Sequence, residues 1–210
     1  MNFYVSSLIP LILFTLLFYA NWSRVDRKVD EGKYARFLFF GILMGVLYSI
    51  LFIYAYFSLY RYIDLMLFAI LLLLPLVASG SQLSILSGKY KAREDLIPLS
   101  TSLGSAYALP ISFIIAIVTS PSFLDYVYIG LITLFAFITG IMSSVLLATG
   151  IRKGRIMLYY NGAFLIQMLF SSSIFFEYLF GEYSLTIIIP EILFAGLLYI
   201  FIFHRKIMED

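Results

Sequence analysis

A chain of 210 residues with 62% hydrophobic and only 12% charged residues cannot clothe a water-facing surface, which needs roughly twice that charged fraction, so lipid is the expected solvent. A formal net charge of +2 is too small for an electrostatic footprint on nucleic acid, and the basic residues serve better as topology markers. The absence of cysteine excludes disulfides, thiolate metal sites and thiol catalysis, and a single histidine, His204, excludes two-histidine haem and zinc sites within the chain.

The expected fold is all-α: one polytopic integral membrane helical bundle, with residues 1–210 as a single transmembrane domain. About 20 apolar residues, rising about 1.5 Å each, cross about 30 Å of hydrocarbon. Seven such segments fit between the charges, at 3–21, 37–57, 63–86, 96–118, 124–149, 156–179 and 184–204. The first follows no basic region and no small-residue cleavage site, so it is expected to be a retained span. Lys and Arg fix the orientation, because short basic loops resist translocation. Arg24, Arg27, Lys28, Lys33 and Arg36, then Lys89, Lys91 and Arg93, then Arg152, Lys153 and Arg155, and finally Arg205 and Lys206 fall on one side, leaving only Arg61 on the other. This bias puts the N-terminus outside and the C-terminus in the cytoplasm of a multi-pass protein of the cell membrane.

Along the chain, the second segment carries Gly41 and Gly45, the fourth Ser100, Gly104 and Ala108, and the fifth Gly140, Ser144 and Ala148. Small residues four apart share a helical face and let backbones approach. Packing within the chain is the first expectation for them; self-association or docking of another membrane subunit is the alternative. The sixth segment carries Asn161 and Gln167, six residues apart and so on different faces, followed by Ser171, Ser172 and Ser173. Gln82 lies near the end of the third.

The seventh segment holds Pro190 and Glu191 among isoleucines, with no basic residue before Arg205. At about 1.5 Å per residue Glu191 sits roughly 10 Å inside the hydrocarbon. Desolvation there disfavours a charge, and the carbonyl freed by Pro190 offers a local partner to a neutral carboxyl. Counting to the same depth on other segments selects Pro10, Ser49, Ser112, Thr133 and Ser171 to Ser173 as a polar layer around it. Intramembrane acids mark transport pathways.

Two loops predicted to be cytoplasmic add Asp26 and Asp30, spaced i, i+4, and Glu94 and Asp95 beside lysines and arginines. Paired carboxylates of this kind can hold Mg²⁺ on a pyrophosphate, and the pattern loosely resembles the aspartate-rich loops of membrane prenyltransferases. A solvated, salt-bridged loop is the simpler expectation. No serine-hydrolase set, phosphate-binding loop or dinucleotide fingerprint is present. The first three and last three segments overlay about the fourth as a 3+1+3 pseudo-repeat, with Arg36 against Arg155. That plan resembles PQ-loop transporters in topology, and Ile187 to Phe194 resembles the Pro-Asn step of their last span. Glu191 stands where they carry Asn, and the chain has no Pro-Gln dipeptide, so membership is not assigned.

The leading expectation is a small-solute or ion transporter or channel. Its transport layer would be Glu191, Pro190, Ser171, Ser172, Ser173, Asn161 and Gln167, with no catalytic residues, metal or cofactor and no nucleic-acid partner. The alternatives are a non-catalytic subunit of a larger membrane complex, joined through Gly41, Gly45, Ser100, Gly104, Gly140 and Ser144, and a Mg²⁺-dependent lipid-phosphate enzyme.

Overall fold

The structure, a computed structural model, describes residues 3–22, 30–59, 62–88, 95–118 and 123–209. These form seven helices: α1 Phe3–Trp22, α2 Glu31–Leu59, α3 Ile63–Ser87, α4 Leu96–Val118, α5 Phe123–Arg152, α6 Ile156–Phe180 and α7 Leu185–Glu209. No strand occurs among the described residues. Within α2 to α5 the stretches Glu31–Ser58, Ile63–Ser87, Leu96–Ala116 and Tyr126–Arg152 are each long and apolar enough to cross a membrane. The described apolar stretches of α1 and α7 are shorter, Leu8–Ala20 and Leu185–Phe201. The 25-residue α6 carries Asn161, Gln167 and three serines and, over its described residues, is not among these four.

Local chemistry sets the helix ends. α2 begins six residues before the apolar segment predicted from 37, because Asp30 caps it: Asp30 Oδ1 accepts from Gly32 N at 2.8 Å and from Lys33 N at 3.4 Å. α5 ends in a Schellman turn, with Arg155 N bonded to Gly150 O at 3.0 Å, Gly154 N to Ile151 O at 3.3 Å, and Gly154 at φ 65°. That left-handed residue makes the α5 to α6 hairpin tight. Between α6 and α7, Gly181, at φ 52°, opens a 3-10 turn, Gly181–Ser184. Within α3, a π-helical stretch at Ala69–Leu73 lies just before Pro75, which has no N–H to continue the ladder. The helix then runs on through Ser79, Gly80 and Ser81 to Ser87, with Ser81 Oγ donating to Val77 O at 2.6 Å.

α4 and α5 form the centre: 78% of an 18-residue apolar window in each is buried, against 39% for α2 and α3. Glycine explains how closely they approach. A Cβ on Gly104 would meet the Gly140 carbonyl, and one on Gly140 would meet that of Gly104. A Cβ on Gly41 or Gly45 would collide with the Leu103 or Tyr107 carbonyl of α4. Ser100 and Ser144 are fully buried. The small-residue faces are therefore used between helices of this chain, where backbone proximity yields dispersion contact that lipid cannot match.

The outer surface is the reverse of a soluble protein's. Phe39, Leu43 and Ile50 on α2, Leu65, Phe68 and Leu76 on α3, and Leu193, Phe194 and Leu197 on α7 are all exposed. Apolar patches of this extent are stable against lipid tails, not water.

Candidate functional site

Glu191 occupies the edge of the buried stripe of α7, formed by Ile188, Ile192 and Ala195, while Ile189, Leu193 and Phe194 face outward. Placed three residues after Ile188 and four before Ala195, it is half-buried and meets α6. Its Oε1 lies 3.5 Å from Ser172 Oγ, the limit of a hydrogen bond. Ser172 Oγ is also 2.7 Å from the Leu169 carbonyl, which claims its single proton. The serine can therefore offer the carboxyl a lone pair, and a neutral acid would donate into it. Oε2 is buried and finds no partner among the described residues. Pro190, exposed beside it, supplies no N–H to the Thr186 carbonyl one turn earlier.

The other residues predicted at this depth do not converge on Glu191. Ser49 donates to Gly45 O at 2.7 Å, Ser112 to Ala108 O at 2.8 Å, Thr133 to Ile129 O at 2.7 Å and Ser173 to Phe170 O at 2.7 Å. Each hydroxyl is satisfied by its own helix, the cheapest partner available in hydrocarbon. Ser171 instead reaches across the bundle to Tyr48 on α2, with Oγ and the phenol oxygen 2.9 Å apart. Tyr48 packs edge-on against Tyr107 of α4, the ring centroids 5.6 Å apart.

One turn along α6 from Ser171, Gln167 is fully buried, whereas Asn161 is exposed on another face. Gln167 Nε2 donates to Ser143 Oγ of α5 at 2.8 Å, and Ser143 Oγ lies 2.8 Å from Gln82 Oε1 of α3. Gln82 Nε2 and Gln167 Oε1 are buried and without a partner among the described residues. Buried polarity thus runs down α6 in three contacts: Glu191 with Ser172, Tyr48 with Ser171, and the two carboxamides with Ser143. Sequence reasoning passed over Ser143 and Tyr48. The signal that could have found the first is that Gln82 and Gln167 are the only two glutamines in the chain.

The acids predicted for a Mg²⁺ site have other roles where they are described. Asp30 caps α2, and Asp95 Oδ2 pairs with Lys33 Nζ at 3.3 Å. Asp26 and Glu94 lie outside the described residues. Among those described, no group of three or more Asp, Glu, His or Cys is placed to hold a metal ion. Comparison with known protein families, with curated proteins and with solved structures returns no match.

Proposed function

We propose that the chain is a multi-pass protein of the cell membrane with seven spans, the N-terminus outside and the C-terminus cytoplasmic, and that it passes a small solute or ion. The observation that carries the transport reading is Glu191. Its carboxyl sits between α6 and α7 with one buried oxygen lacking a protein partner, and no cation faces it among the described residues. An acid kept in hydrocarbon without a neutralising partner is costly, and such residues are characteristic of proton and ion relays. The reading is supported by the series of polar contacts along α6, from Glu191 and Ser172 past Ser171 toward Gln167.

The test is flux in proteoliposomes that contain an entrapped pH-sensitive dye, with proton movement driven by a potassium diffusion potential. Wild-type protein should conduct above protein-free liposomes, and Glu191→Gln should lose that flux while folding normally, because the amide keeps volume and hydrogen bonding but cannot titrate. Undiminished flux in Glu191→Gln would remove Glu191 from the mechanism.

One observation favours the second reading, a subunit that docks on a larger membrane partner. Asn161 is exposed on α6 together with Met157, Leu158 and Leu165, so a carboxamide faces outward from an apolar surface. Wild-type liposomes impermeable to protons, sodium and glycerol alike would favour that reading.

A further inference from the structure

Gln82 and Gln167 lie on α3 and α6, 85 positions apart by their numbering, yet they meet at one hydroxyl. Ser143 carries a single proton. It accepts from Gln167 Nε2 at 2.8 Å and directs its own hydrogen toward Gln82 Oε1 at 2.8 Å, the alternative acceptor, Gly140 O, being farther at 3.0 Å. The bonds therefore run one way, from amide to hydroxyl to amide. A carboxamide has two ends, so this direction fixes what remains. Gln82 is left with a free donor, Nε2, and Gln167 with a free acceptor, Oε1. Turning both amides over reverses the direction but again leaves one donor and one acceptor.

Both side chains are fully buried, and Ser79, one turn before Gln82 on the same face of α3, is also buried with its hydroxyl unpartnered among the described residues. An unpaired buried amide group costs about 1–3 kcal/mol, so two such groups on side chains that share one hydroxyl call for a guest. A single guest that serves both must accept one hydrogen bond and donate another, as Ser143 does between the other two ends. A hydroxyl group meets that requirement. A bare cation offers no acceptor and a bare anion no donor, and among the described residues no group of three or more Asp, Glu, His or Cys is placed to hold a metal ion.

We propose that the Gln82–Ser143–Gln167 cluster is a binding site for one hydroxyl group, that of water or of a small alcohol, which bridges Gln82 Nε2 and Gln167 Oε1 and closes a four-membered ring of hydrogen bonds. The proposal stands apart from the transport reading, since the ring holds its guest whether or not anything crosses the membrane.

The composition of the chain makes the test clean, because glutamine side-chain ¹⁵N labelling yields only two amide signals. Full-length protein in lipid bilayers is examined by solid-state NMR for proton magnetisation transfer from water to each Nε2, with and without glycerol. One Nε2 should receive transfer several-fold faster than the other, since one faces the guest and the other faces Ser143. Transfer from water unaltered by glycerol identifies water as the occupant; a saturable shift of that same signal by glycerol identifies the alcohol hydroxyl. Absence of both responses, or equal transfer to the two amides, overturns the ring. The wild-type spectrum alone decides the matter, so no variant has to fold, and a failed flux assay leaves the result untouched.

Discussion

Gly104→Ala is the sharpest test of the central helix pair. The added Cβ would lie 2.6 Å from the Gly140 carbonyl carbon and 2.7 Å from Ile141 Cα, against an ordinary carbon contact of about 3.5–4.0 Å. All three of its nearest neighbours are backbone atoms, so no rotamer change can make room. α4 and α5 must separate by about 1 Å, enough to forfeit a quarter to a half of each interhelical dispersion contact. Overpacking of this kind costs about 1–3 kcal/mol. Alanine's better helix propensity returns up to about 1 kcal/mol, so the net loss should be about 1–2 kcal/mol. Gly196→Ala is the matched control, because a Cβ there meets nothing within 4 Å and only the propensity gain should remain. Reversible unfolding in mixed micelles, followed by circular dichroism, should rank the three proteins Gly196→Ala, wild type, Gly104→Ala. Equal stability of the two variants would refute the claim that backbone contact at Gly104 holds the bundle together.

Tyr48→Phe deletes the phenol that meets Ser171 but keeps the ring against Tyr107, so the same assay should show a loss of about 0.6 kcal/mol and no more than about 2, the range of interhelical hydrogen bonds in lipid. Ser143→Ala removes the bridge between two buried carboxamides and should cost more than Tyr48→Phe, about 1–3 kcal/mol, because it frees both amides at once. Asp30→Ala should lose about 1 kcal/mol and lower helicity at the start of α2, whereas Asp30→Ser, which can still cap, should not. Gly154→Val places a β-branched residue at φ 65° and should destabilise by about 1–2 kcal/mol, with Gly154→Asn less affected.

The positions of the helices were legible in the sequence because hydrocarbon sets a length and charges mark its ends. The apolar segments at 63–86 and 96–118 match α3 and α4 almost residue for residue. Departures came where local hydrogen bonding overrode hydropathy, as when the Asp30 carboxylate extended α2 back to Glu31. Glu191 could be singled out as an acid in an apolar segment with no basic residue before Arg205, and the glycine stripes by their spacing. Their partners could not. In a soluble helix the polar face shows which way it turns, but α2 and α6 are apolar nearly all round, so sequence carries little record of their rotation or neighbours. Depth counting grouped Ser49, Ser112 and Thr133 with Glu191, although each hydroxyl bonds its own helix. Only the tertiary structure decided that Gln82 and Gln167 share Ser143, that Asn161 faces outward, and that Ser172 rather than Ser173 meets Glu191. In lipid a polar side chain must find its partner inside the protein, and which partner it finds depends on how the helices are rotated and ordered around α4 and α5.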